Sequence, residues 1–219
     1  MFSELGYAIS RSVIGPSQLE ELRSEVDRVA EEAGTACVRH LRKRSKVFCS
    51  LACSEFLLQL LPSGLRPVRS ILFDKTSDEN WPVPWHQDLT ITVCEQLDIQ
   101  GYGPWSMKDG SPHVQPPLEL LQSMVTIRLH LDDTPKENGV LSVIPSSHKY
   151  GKLNSKEVLN RDKSDFVDCE CKAGDVLLMS PLILHSSRRS QVAQRRRVIH
   201  FEYARDSDLD ARLNWLEGP

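Results

Sequence analysis

His86-Gln87-Asp88-Leu89-Thr90-Ile91-Thr92-Val93 (HQDLTITV, residues 86–93) is the stretch on which the fold turns. Its β-branched residues read as a strand. It is entered from a rigid loop, residues 76–85, that holds Trp81, Pro82, Pro84 and Trp85. On a strand, residues at i and i+2 share a face. His86 and Asp88 then point together while Gln87 faces away. Such a pair asks for a third ligand from a distant strand, and the apolar run Val176 to His185 ends on one, followed by Ser186-Ser187. Two imidazoles and one carboxylate leave three coordination positions open, the donor set of non-haem Fe(II) oxygen chemistry.

Working outward, most periodic segments are strands. Tyr7–Ile14, Val68–Lys75, Met124–Asp132, Val140–Ile144 and Arg196–Ala204 are apolar and largely β-branched or aromatic. Asn138-Gly139 is a hairpin signal between Met124–Asp132 and Val140–Ile144. Pro181 predicts a bend or bulge inside Val176–His185. Helices are fewer. Ser17 is expected to cap one, with Glu20 as capping-box partner; Leu19, Leu22, Val26, Val29 and Ala33 form its apolar stripe and Gly34 its stop. Ser54–Leu61 reads as a second helix ended by Pro62, and Leu118–Gln122 as a helical turn. Residues 35–50 read as a loop with a strand around Val47-Phe48, and residues 149–165 as exposed polar chain. No βαβα alternation or fixed repeat is present. The pattern predicts one domain over residues 1–219, mainly β with helical cover (α+β), an antiparallel β-sandwich or barrel. The Pro- and aromatic-rich segment 98–118 is expected to be an ordered lid.

Bulk properties narrow the function. The 219 residues carry 27 basic and 30 acidic side chains, net −3. That balance gives no footprint for nucleic acid or an acidic membrane. No apolar run reaches the ~20 residues of a membrane helix, and the start MFSELGYAIS lacks signal-peptide blocks. The six cysteines, at 37, 49, 53, 94, 169 and 171, form no CxxC pair. Reduced thiols in the cytoplasm are expected. Cys169 and Cys171 share a strand face but have no second pair to close a four-ligand zinc site.

Arg195, Arg196 and Arg197 open the last strand. Arg196 faces inward with Val198 and His200, and its planar guanidinium suits a carboxylate cosubstrate. Ser187, two beyond His185, offers a hydroxyl. Arg195 and Arg197 are expected on a solvated basic edge. The presence of Asp88 argues against halogenation, which needs that coordination position for chloride. Catalytic zinc could use the same three ligands, but a hydrolase needs a general base that no spacing marks. A non-catalytic module binding iron or a small acid is the other alternative; the intact triad beside Arg196 argues against such decay. The Trp81–Trp85 and Tyr102–Trp105 loops are candidate pocket walls. Trp85, Trp105, His113 and Gln115 are candidate contacts to a small-molecule substrate. Asn138 and Gly139 are expected to shape the turn, and Ser147 with His148 to brace it. The oligomeric state is left open.

These residues together resemble the phytanoyl-CoA dioxygenase family of Fe(II)/2-oxoglutarate oxygenases. The matching pieces are WHQD at Trp85–Asp88, LDDTPKENGVLSVIPSSH at Leu131–His148, HSS at His185–Ser187 and RRVIHFEYA at Arg196–Ala204. The resemblance implies a double-stranded β-helix (jelly-roll) with the iron in its mouth. It implies His86, Asp88 and His185 as iron ligands, Arg196 and Ser187 on the distal carboxylate of 2-oxoglutarate, and Lys75 beside that cosubstrate. It also implies O2 as oxidant, hydroxylation of the substrate, and succinate and CO2 as products. One position departs from the family: Arg128 stands where many members place Trp. It is expected either to touch the cosubstrate or an anionic substrate, or to pair with a core carboxylate. Nothing resembles a basic cradle for a CoA nucleotide.

Overall fold

The computed structural model describes residues 2–192 and 194–218. Thirteen strands occur among the described residues. They are β1 (Tyr7–Ser10), β2 (Cys37–Arg39), β3 (Arg66–Lys75), β4 (Val83–His86), β5 (Ile91–Thr92), β6 (Trp105–Lys108) and β7 (Ser111–Val114), then β8 (Val125–His130), β9 (Leu141–Val143), β10 (Val167–Asp168), β11 (Val176–Met179), β12 (His185–Ser187) and β13 (Arg196–Ala204). The helices are α1 (Phe2–Leu5), α2 (Pro16–Ala33), α3 (Leu41–Arg44), α4 (Lys46–Ala52), α5 (Glu55–Leu58), α6 (Leu118–Ser123) and α7 (Ser155–Asn160). None is long and apolar enough to cross a membrane.

Every paired strand is antiparallel. Six strands form one sheet in the order β1-β11-β8-β13-β3-β2, and four form a second, β10-β9-β12-β4. Alternation gives the large sheet two unlike faces. Its outer face carries Leu72, Ile127, Leu129, Ile199, Phe201 and Tyr203, packed against Leu19, Leu22, Val26 and Val29 of α2. Each such aliphatic burial contributes about 1.5–3 kcal/mol, which is why the one strongly periodic helix lies there. The inner face meets the small sheet, where Leu177 and Met179 pack on Leu141 and Val143.

Several local expectations need correction. Helix α2 starts at Pro16 with Gly15 as N-cap, so Ser17 and Glu20 lie inside its first turns; proline at the first position pre-sets φ and lacks only an N–H that would go unused. Gly34 does end the helix in the left-handed region. Val47-Phe48 is helical: Ser45 accepts the N–H of Val47 and caps α4, and the strand of this region is β2. The second helix is a single turn, α5, ending before Pro62. Residues 149–165 contain α7, with a complete capping box between Asn154 and Glu157. Asn138-Gly139 makes no hairpin. A 3-10 turn (Lys136–Asn138) carries the chain from β8 in the large sheet to β9 in the small one. Gly139, at φ 62, has no room for a side chain, because a Cβ would meet the Arg188 carbonyl at 2.5 Å. Val176–His185 is two strands in different sheets, β11 and β12, parted at Pro181. Finally, 86–93 is not one strand: β4 ends at His86 and β5 begins at Ile91.

Segment 98–118 is ordered, but as a hairpin. Strands β6 and β7 pair and add β5 to make a third sheet. Tyr102 and Trp105 pack into an apolar cluster with Leu213 and Trp215 of the C-terminal stretch.

Candidate functional site

Strands β4 and β12 lie side by side in the small sheet, with His86 and His185 as direct cross-strand partners. Their ring centroids are 4.1 Å apart. Asp88 comes from just beyond β4. Its direction is set by backbone and side-chain ties rather than by the pleat: Asp88 N–H donates to the Pro181 carbonyl at 2.8 Å. Gln87 does face away. Its amide donates to the carbonyls of Gly151 (2.9 Å) and Leu182 (2.6 Å), and its oxygen accepts the Leu153 N–H (2.8 Å).

The three ligating groups converge. Asp88 lies 3.7 Å from His86 Nε2 and 3.6 Å from His185 Nε2, and all three ligand atoms fall within 4.8 Å of one another. Among the described residues no other His, Cys, Asp or Glu cluster has this geometry. The outer nitrogens are spoken for: His86 Nδ1 faces the Pro84 carbonyl at 2.9 Å and His185 Nδ1 the Ile183 carbonyl at 2.9 Å. A carbonyl can only accept, so each Nδ1 carries the proton and each Nε2 lone pair points into the cluster, as a metal requires. Burial pushes His185 down to about 3 despite Asp88, so its imidazole is neutral. Burial works against the Asp88 carboxylate, but His185, His86, His200 and Arg69 outweigh it and hold its pKa well below the usual range. Neutral imidazoles and an ionised carboxylate fit ferrous iron.

A cavity of about 140 Å³ adjoins the cluster, between the two sheets. His86, Asp88, His185 and Ser187 line it from one side, and Lys75, Arg128, Arg196 and His200 from the other, with Phe73 and Trp81 among its apolar walls. Arg196 and Lys75 are cross-strand partners on β13 and β3. Arg196 donates to Ser187 Oγ at 3.2 Å, and Ser187 in turn donates to the Gly139 carbonyl at 2.9 Å. Lys75 Nζ donates to the Trp81 carbonyl at 2.5 Å and sits 4.8 Å from the Trp81 ring centre. Burial, then the charges of Arg196, Arg128 and Arg189, push Lys75 down to about 7. Burial and Arg128 pull Arg196 to about 10, which leaves it charged at neutral pH.

Arg195 and Arg197 do not form a solvated edge. Arg195 pairs with Asp74 and Asp27, and Arg197 with Asp132 at 2.8 Å. Trp85 is half-buried, edge-on to Phe166, and borders a separate groove of about 360 Å³ with His86, Leu89, Leu153 and Val158. Trp105, His113 and Gln115 do not line the cavity beside the triad. His113 is fully buried, its Nδ1 on the Ser111 carbonyl at 3.0 Å and its Nε2 3.5 Å from Arg69; the Gln115 carbonyl accepts the Gly103 N–H. Ser147 braces the site from behind: it accepts the Leu184 N–H at 2.8 Å, one residue before His185. His200 is the residue of most consequence that sequence reading did not single out for a role, although its parity with Arg196 already placed it inward. A larger open hollow of about 810 Å³, over Tyr150, Asn154 and Arg161, lies apart from the triad.

The phytanoyl-CoA dioxygenase (PhyH) family matches residues 2–198. The chain belongs to that family. Ferrous iron, 2-oxoglutarate and O2, which the sequence resemblance implied, are accordingly its cofactor and cosubstrates. No curated protein matches the chain significantly. Solved structures share its fold. HygX from Streptomyces hygroscopicus, with nickel, 2-oxoglutarate and hygromycin B bound, is 22% identical, with a TM-score of 0.66 over 94% of this chain and 85% of that one. The epimerase SnoN, in complex with Fe3+, α-ketoglutarate and nogalamycin RO, is 18% identical with a TM-score of 0.72 over 93% and 80%. AviO1 from Streptomyces viridochromogenes Tue57 is 21% identical with a TM-score of 0.69 over 96% and 94%.

Proposed function

We propose that this protein is a 2-oxoglutarate-dependent dioxygenase that hydroxylates a small organic substrate. The observation that carries the reading is the convergence of His86, Asp88 and His185 on one point, beside a cavity whose cations lack protein carboxylates of their own. The two sheets act as the facing walls of a double-stranded β-helix, in a single domain. His86, Asp88 and His185 hold the iron. When bound, the iron supplies O2 activation coupled to oxidative decarboxylation of 2-oxoglutarate. The balanced reaction takes substrate C–H, 2-oxoglutarate and O2 to substrate C–OH, succinate and CO2.

The chain's own groups do the rest. Arg196 and Ser187 grip the distal carboxylate, the guanidinium through paired N–H donors. Lys75 lies alongside and adds positive charge. Trp81 and Phe73 exclude water from the cavity. The cavity is of cosubstrate size, so the prime substrate lies outside it. The apolar groove of Trp85, Leu89, Leu153 and Val158 reaches His86 and is the surface we assign to that substrate. HygX and SnoN, both with small molecules bound, support a small-molecule substrate.

Purified protein with Fe(II), ascorbate and 2-oxoglutarate should form succinate slowly in air, even without a prime substrate. Under anaerobic conditions, adding 2-oxoglutarate to the Fe(II) protein should raise a visible metal-to-ligand charge-transfer band. Succinate formation that persists after iron is removed and replaced by zinc would refute the assignment.

A further inference from the structure

Arg128 is the feature the proposed function leaves unused. It projects from β8 into the cavity, opposite His200 of β13, with which it is paired in register. Among the described residues its ion-pair partners are none: its Nη1 donates to His200 Nδ1 at 3.1 Å, its guanidinium lies 5.3 Å from the Phe73 ring centre, and its Nε is buried without a partner. The other arginines around this sheet behave differently. Arg69 has Glu202 at 3.0 Å, Arg195 has Asp74, and Arg197 has Asp132. A cation withdrawn from water without a counter-charge is costly. Two such guanidiniums, those of Arg196 and Arg128, share one cavity here with the Lys75 amine.

The arrangement around Arg128 is built. Because His200 Nδ1 accepts from Arg128, its Nε2 carries the proton and can donate to Glu202, 3.3 Å away. Glu202 is held in turn by Arg69. His200 therefore acts as a positioning residue, turning Arg128 toward the cavity while Glu202 stays occupied. Arg128 is close enough to Arg196 to depress its pKa and close enough to Asp88 to feel that carboxylate. It lines the same cavity as Arg196 and as His86, Asp88 and His185.

We propose that Arg128 is a second carboxylate anchor, binding the 1-carboxylate of the 2-oxo acid while Arg196 and Ser187 hold the other end. The inference rests on the proposed function above. It assigns the pocket two carboxylate contacts made by protein, so that the cosubstrate is gripped at both ends before any metal contributes. The consequence is measurable affinity for 2-oxoglutarate in metal-free protein.

The test is calorimetric titration of metal-free protein with 2-oxoglutarate and with 4-oxopentanoate, in which a methyl group replaces the 1-carboxylate. Wild type should bind 2-oxoglutarate about tenfold or more tightly than 4-oxopentanoate, the difference expected of one charge-assisted contact. Arg128→Met should remove that preference by weakening 2-oxoglutarate alone, with 4-oxopentanoate unchanged. Where Arg128→Met does not fold, Arg128→Lys retains the buried charge and should narrow the preference at least threefold. Equal loss for both ligands, or a preference that survives in the variants, overturns the assignment of Arg128. Nickel-loaded wild type that ignores 2-oxoglutarate altogether overturns the proposed function itself, and this inference with it.

Discussion

The two faces of the six-stranded sheet are written in the same strands and do opposite work. On β13, Ile199, Phe201 and Tyr203 point outward into a fully apolar cluster under α2, while Arg196, His200 and Glu202 point inward. On β8, Ile127 and Leu129 alternate with Arg128 and His130 in the same way. The outer face is satisfied without help: its apolar side chains pack on one another and on α2, and Arg197 and Asp74 at its end have ion-pair partners. On the inner face Arg69 is paired with Glu202, but among the described residues Arg128 and Arg196 have no carboxylate partner. Stability and chemistry are thereby separated by one residue of register, and a one-residue slip would exchange them.

The sharpest way to break this comparison is Asp88→Ala. Losing the one anionic ligand should abolish iron-dependent succinate formation while the thermal melt stays near that of wild type; surviving turnover would remove Asp88 from the ligand set. Next, Arg196→Ala should raise the apparent KM for 2-oxoglutarate about 100-fold, equivalent to about 3 kcal/mol of a charge-assisted pair, with bound iron per chain unchanged. An unaltered KM would show that the distal carboxylate is held elsewhere. On the outer face, Phe201→Ala should cost about 3–5 kcal/mol of unfolding free energy, read by denaturant titration. The KM of the fraction that remains folded should move no more than about twofold. A large KM change would mean that the faces are not separable.

The smallest effect concerns pH. Lys75 is held near 7 by burial and by the neighbouring guanidiniums. Below that pH it is charged and attracts the dianionic cosubstrate. As pH rises through 7 the empty pocket loses this charge, so affinity for 2-oxoglutarate should fall several-fold between about pH 6.5 and about pH 8.5. Lys75→Met should flatten that profile, and a slope that survives the substitution would place the titrating group elsewhere.

Parts of this were readable in the chain because the signal was periodic. Strand β13 and helix α2 show their alternation over many residues, and both lie close to where the pattern puts them. Short elements offered no such averaging. The capping signature Ser17-x-x-Glu20 falls inside a helix, whereas the same type of signature at Asn154-x-x-Glu157 is a real helix start. Proline at position 16 displaced the cap in the first case. The strand reading of 86–93 relied on β-branched residues after the HQD triplet, and the tertiary ties of Gln87 and Asp88 overrode it. The convergence of His86, Asp88 and His185 beside Arg196 was legible because HxD, a distal His and an inward Arg each have a chemical reason for their spacing. Which cations go unpaired was not legible, since pairing depends on which strands become neighbours. Nor could the Pro-rich segment show which side of the molecule its hairpin would cover.

Gln87 has a mechanical consequence. Lying between His86 and Asp88 in the chain, its amide ties the Gly151–Leu153 turn to the Leu182 backbone that leads into His185. Leu153 also walls the groove beside His86. The groove wall and the His86–Asp88 pair are thereby tied to one another through a single buried side chain.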